Sequence, residues 1–304
     1  MTAGNLRVQE FAGKSPGPHL LITGGVHGDE FEPIAAIRIL SRLVAEQSNH
    51  AALLNGRVSL VSCVNEEAFL LGRRCASDGL DLARTCPGRK DGSITERTAW
   101  ALSELIRSAD YYIDLHTGGT EFSIYPLAGY MLHPNAKVLE AQRQMARAFG
   151  LPIIWGTAPN LDGRSLSVAR DAQVPAIYCE YLGSAVCSQA GVDAYVHGCL
   201  SVMADLHMIG SQPVPEATQF VIEDPRENSG HLQVCNPAPV DGYFETQVEL
   251  GQYVSAGTVL GTVIALQDNS LHTIVSSHAG LVIMLRTFPR VRADESVAVV
   301  LDSV

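Results

Sequence analysis

Between His19 and Val202, short apolar and β-branched runs alternate with longer stretches in which apolar residues recur every three or four positions. This alternation restricts that part of the chain to an α/β fold with a largely parallel sheet. Leu20–Thr23 reads as a buried strand, and Glu32–Val44, with Ile34, Ile37, Leu40, Leu43 and Val44 at helical spacing, as an amphipathic helix. Arg57–Val64 is the next strand. Ser93 and Glu96 have the S-x-x-E form of a capping box, so a helix to Arg107 should lead into a strand over Tyr111–Leu115. Further helices are expected over Ala136–Phe149 and Val192–Met208, with a strand at Ala176–Cys179.

The texture changes around Ser211–Glu216, where Pro213 and Pro215 interrupt the helical pattern and only strands and turns follow. A chain of 304 residues also suits about two domains at roughly 150 residues each. We expect residues 1–212 to form a domain with a mixed, largely parallel sheet flanked by helices, and residues 213–304 a smaller all-β, barrel-like domain. In the latter, Val254–Val263 lies over Val291–Val300 as one strand-turn-strand unit used twice. Such a repeat resembles the flattened barrel of biotinyl and lipoyl carrier domains. Those domains attach their cofactor to a lysine, and no lysine follows Lys137, so a structural or lid role is expected instead.

With 46% hydrophobic and 17% charged residues the chain is no disordered protein. Its formal charge of -11 repels phosphate backbones and anionic membrane surfaces, which argues against nucleic-acid or membrane partners. Lysine occurs only at Lys14, Lys90 and Lys137, so almost all positive charge is guanidinium, suited to bidentate capture of carboxylates. Seven scattered cysteines without a C-x-x-C pair fit reduced thiols rather than a disulfide framework. No leader-like N-terminus or bilayer-length apolar run is visible, and a cytoplasmic location is expected. An assembly of identical chains is left open.

Chemistry-bearing residues gather at the ends of the expected strands. His27 and Glu30 stand three apart in Thr23-Gly-Gly-Val-His-Gly-Asp-Glu30, after the first strand, where open α/β sheets bind ligands. Alone, that spacing equally suits a glycine-rich turn whose polar side chains are solvated or cap a helix. His116, in Asp114-Leu-His-Thr-Gly-Gly119, follows another strand and completes the His₂Glu set of hydrolytic zinc sites. Asp114, two residues earlier, could orient an imidazole or accept backbone hydrogen bonds. Glu180, after Ala176–Cys179, could serve as the base of such a site or pair with an arginine. The loop bearing Arg73, Arg74 and Arg84 could fork a carboxylate or polarise a carbonyl, or merely offset the acidic surface.

Taken in order, H-G-D-E at His27–Glu30, N-x-x-A-x-x-x-G-x-R at Asn65–Arg74, D-L-A-R-x-C-P-G at Asp81–Gly88, D-L-H at Asp114–His116, and Glu180 resemble the succinylglutamate desuccinylase/aspartoacylase family, relatives of the zinc carboxypeptidases. The resemblance runs from about residue 18 to 210. It implies one zinc ion held by His27, Glu30 and His116, Glu180 as general acid/base, Arg74 at the acyl carbonyl with Arg73 as the alternative, and Arg84 on a substrate carboxylate. Ala83 and Cys86 stand where the family usually has asparagine and phenylalanine, which removes one hydrogen bond to that carboxylate. The implied activity is hydrolysis of a small N-acyl amino acid. A metallocarboxypeptidase acting on short peptides, or a non-catalytic metabolite-binding relative, are the alternatives.

Overall fold

The computed structural model describes residues 2–3, 6–49, 54–210, 218–227, 229 and 235–302. A hairpin of β1 (Thr2–Ala3) and β2 (Leu6–Arg7) precedes the main sheet. The sheet contains β3 (Gln9–Ala12), β4 (Ser15–Thr23), β5 (Asn55–Val61), β6 (Tyr111–His116), β7 (Phe122–Met131), β8 (Ile153–Thr157), β9 (Ala176–Gly183) and β10 (Phe220–Glu223). Their order across it is β10-β8-β7-β9-β6-β4-β5-β3, with only the β7–β9 and β3–β5 pairs antiparallel.

The helices are α1 (Phe31–Asn49), α2 (Glu66–Leu71), α3 (Ile94–Arg107), α4 (Ala136–Phe149), α5 (Ser165–Asp171) and α6 (Gln189–Asp205). Leu20 and Ile22 of β4 join the core under α1, α4 and α6, while Leu21 joins the core under α3 and α5. A strand buried on both faces needs the continuous apolar run seen there. The expected capping box forms: Ser93 accepts from the Glu96 amide, and the Glu96 carboxylate accepts from the Ser93 amide. Among the described residues, no helix is long and apolar enough to cross a membrane.

The C-terminal strands are β11 (Gly242–Thr246), β12 (Tyr253–Val254), β13 (Val259–Ala265), β14 (Leu271–Val275), β15 (Gly280–Arg286), β16 (Arg290–Val291) and β17 (Ala298–Asp302). β14, β13, β11 and β16 form a separate antiparallel sheet. The two halves exchange their short strands: β11 pairs with β13 of its own half and β16 of the other, while β15 pairs with β17 of its own half and β12 of the other. Phe244, Leu260, Val282 and Val300 fill the space between them. This C-terminal part is also sewn to the main sheet, because Met284, Leu285 and Arg286 of β15 pair with Ile124, Ser123 and Phe122 at the start of β7. The expected boundary between residues 212 and 213 lies outside the described residues; β10, beyond it, adds a parallel strand beside β8.

Candidate active site

Parallel strands β4 and β6 are hydrogen-bonded neighbours, with Thr23 opposite Asp114, so their carboxyl ends deliver His27, Glu30 and His116 to one place. The loop carrying His27 is held by backbone hydrogen bonds from Val64 to Gly24 and from Asn65 to Gly25. Gly28 is required there, since a Cβ would come within 2.2 Å of the Ala68 carbonyl oxygen of α2.

His27 Nδ1 lies 2.7 Å from Glu30 Oε1, and His116 Nδ1 lies 3.1 Å from Glu30 Oε2. One candidate donor atom from each of the three residues falls within 4.8 Å of the others, and all three residues are buried. The opposite ring nitrogens are held by aspartates. His27 Nε2 is 3.1 Å from Asp81 Oδ1, and His116 Nε2 is 3.1 Å from Asp114 Oδ2. Asp114 is itself fixed by donated bonds from Thr23 Oγ1 and Ser165 Oγ. Imidazoles oriented by carboxylates through one nitrogen, with the other turned to a shared glutamate, match the donor chemistry of a divalent-cation site. Three carboxylates around two imidazoles also leave negative charge that such a cation would balance.

The electrostatics follow from this crowding. Burial pushes the Glu30 carboxyl up, but the two imidazoles outweigh it and hold it at about 2. Burial likewise opposes a charged His116, yet Asp114 and Glu30 raise its pKa well above the usual histidine value. Glu180, opposite His116 in the β6–β9 register, is pushed up to about 8, chiefly by burial. A carboxyl in that range can both take and give a proton near neutrality. β9 continues to Gly183, so Glu180 sits within the strand rather than beyond its end.

The six residues that the family resemblance implies for the site, His27, Glu30, Arg74, Arg84, His116 and Glu180, line one cavity of about 90 Å³, and so does Asp114. Arg74 donates to Asp81 Oδ2 through Nε at 3.1 Å and Nη2 at 3.0 Å. Arg73 instead donates to the carbonyls of Cys75 and Ala76 and lines a larger adjoining cavity. Two participants escaped the sequence reading. Asp81, which joins His27 to Arg74, was visible only as a letter in a motif. Arg164 precedes α5 and also lines the cavity, and no spacing announced it. Burial and the neighbouring Arg164 lower Arg84 to about 10, so two guanidinium groups crowd one end of the cavity. Arg164 Nη2 and Glu180 Oε2 are buried without a hydrogen-bond partner, unmet bonding capacity on the cavity wall.

The sequence model of the succinylglutamate desuccinylase/aspartoacylase catalytic domain matches residues 16–206. The chain belongs to this family. Among the family's relatives, N-alpha-acetyl-L-2,4-diaminobutyric acid deacetylase of Halomonas elongata is 29% identical over 300 residues, covering 96% of this chain and 84% of the relative. The crystal structure of a succinylglutamate desuccinylase/aspartoacylase from Rhodobacter sphaeroides is similar at a TM-score of 0.85 and 25% identity, over 98% of this chain and 89% of that one. The product-bound ectoine utilization protein EutE (DoeB) of Ruegeria pomeroyi also reaches 0.85, at 26% identity, over 96% of this chain and 87% of that one.

Proposed function

We propose that this chain is a zinc-dependent amidohydrolase that removes an N-acyl group from a small amino-acid-like substrate. The observation that carries the reading is the meeting of His27, Glu30 and His116 with Glu180 and Arg74 in one cavity. Zinc held by His27, Glu30 and His116 would supply a Lewis acid at the amide carbonyl and acidify water near neutral pH. Glu180 accepts the proton lost as water adds to the carbonyl carbon and returns it to the nitrogen as the C–N bond breaks. The products are a carboxylic acid and a free amine. Arg74, aimed by Asp81, stabilises the negative charge that grows on the carbonyl oxygen. Arg84 and Arg164 bind the substrate carboxylate, and their mutual repulsion is relieved when that anion arrives.

An N-acetylated diamino acid, the substrate class in the name of the Halomonas relative, is the first candidate. The C-terminal residues, read as a barrel-like domain without an attachment lysine, place Met284 in the cavity wall and so narrow it, which favours a small substrate over the peptide of the carboxypeptidase reading. The test is a hydrolysis screen of N-acetyl, N-succinyl and N-acyl diamino acids with zinc-loaded protein, alongside Glu180→Gln. Turnover of at least one substrate is expected, with the variant's kcat lowered about 10²-fold or more at equal zinc content. No hydrolysis by the loaded protein, or wild-type turnover by the variant, overturns the reading.

A further inference from the structure

The polar groups of the cavity are unevenly spread. Arg84 and Arg164 stand close together on the wall, within electrostatic reach of Asp81 and Arg74. A different stretch of wall is apolar and comes from the junction of β7 and β15: Phe122, Ile124 and Met284. Met284 stands directly opposite Ile124 in the antiparallel register, and the two side chains are 1% and 4% exposed. Both strands are irregular beside this pair. β15 shifts register against β17 between Val282 and Met284, and β7 shifts against β9 between Ile124 and Leu127. Bulges of this kind re-aim side chains next to functional sites. Behind the wall, the Arg286 guanidinium lies 4.8 Å from the centre of the Phe122 ring and pairs with Glu121 and Glu295, which braces Phe122.

An amide substrate has two ends. The amine end carries the carboxylate and belongs with the arginines. We propose that the Phe122–Ile124–Met284 wall receives the acyl end, and that Met284, contributed by the C-terminal strands, restricts it to a short, uncharged group such as acetyl. This assignment rests on the deacylase reading above. An acyl carboxylate such as that of a succinyl group would be stripped of water against this wall without a partner, a cost that an acetyl methyl escapes. A longer alkyl chain would meet the packed thioether of Met284, and close-packed side chains do not yield space freely.

The experiment compares N-acetyl, N-propionyl, N-butyryl and N-succinyl derivatives of one diamino acid, with kcat/KM measured for wild type and Met284→Ala. Wild type is expected to prefer acetyl, falling about tenfold per added methylene, with the succinyl derivative poorest. In Met284→Ala the butyryl-to-acetyl ratio rises about tenfold or more, a change of selectivity that general weakening of the fold does not produce. Ile124→Val, which removes one methylene from the facing side chain, carries the same test with a smaller rise should Met284→Ala fail to fold. Wild type that hydrolyses none of the series overturns the proposed function and this assignment with it. Wild-type turnover with an unchanged ratio in the folded variant, or with succinyl preferred, overturns this assignment alone.

Discussion

Asp81 touches three neighbours at once. One carboxylate oxygen faces His27 Nε2 and accepts from the Ala83 amide, and the other takes two donors from Arg74. Burial would raise its pKa, but His27 and Arg74 hold it well below the usual carboxylate range, so it remains an anion. A group so placed orients the His27 imidazole and the Arg74 guanidinium together. In the proposed zinc enzyme, Asp81→Ala should weaken zinc binding about 10–100-fold, read by chelator competition, and lower kcat/KM in zinc-saturated protein as Arg74 loses its anchor. Unchanged zinc affinity would reduce Asp81 to a cap for the short 3₁₀ turn at Leu82–Arg84. This role was hidden from the sequence because it depends on how the loop folds back over a strand end far away in the chain.

At the level of elements, His19 shows how strands and helices are locked. Its ring, buried in β4, reaches the carbonyl of Ser108 just past α3 through Nδ1 at 2.9 Å and Ser59 Oγ of β5 through Nε2 at 2.8 Å. Burial is the main cause of its pKa falling below the usual histidine value, with Arg57 adding to the effect and Ser108, Asp110 and Glu10 opposing it. The unfolded chain therefore takes up a proton that the folded protein holds off. Stability from this site is present above about pH 6.5 and is lost as the pH falls toward the lower folded-state value. Tm of the wild type should drop more steeply than that of His19→Gln between about pH 7.5 and about pH 5.5; parallel curves would rule out the contribution. The elements legible in the sequence were those with local signals: α3 with its capping box, α4 with its helical pattern, and β4 with its apolar run. β7 was not. Pro126 interrupts it, its register shifts near that residue, and its neighbours β8, β9 and β15 are all distant in sequence. The strand ends bearing His27, Glu30 and His116 were readable because turn glycines and polar residues punctuate them, whereas Arg164 and Met284 reach the cavity only through long-range packing.

For the molecule as a whole, the N-terminal part and the C-terminal strands cannot be treated as separable bodies joined by a tether, because β15 and β17 continue the main sheet. Ile124, Leu127, Ile153 and Trp155 of the main sheet share a core with Ile283, Met284, Val299 and Leu301. Arg286 and Arg290 tie that contact to Glu121 and Glu295. Removing residues 236–304 would bare this apolar face and leave the first half of β7 as an open edge, a template for aggregation. The shortened protein should elute as large aggregates on size exclusion and lose a cooperative thermal transition; a monodisperse, cooperatively melting fragment would show that the N-terminal part stands alone.

The docking of β15 on β7 also sets an order of events during synthesis. Translation delivers His27, Glu30, His116 and Glu180 well before Met284 leaves the ribosome, so the wall proposed to face the acyl group is added last. The pocket is thus finished by the last part of the chain to be made, and its early residues wait in an incomplete fold until then.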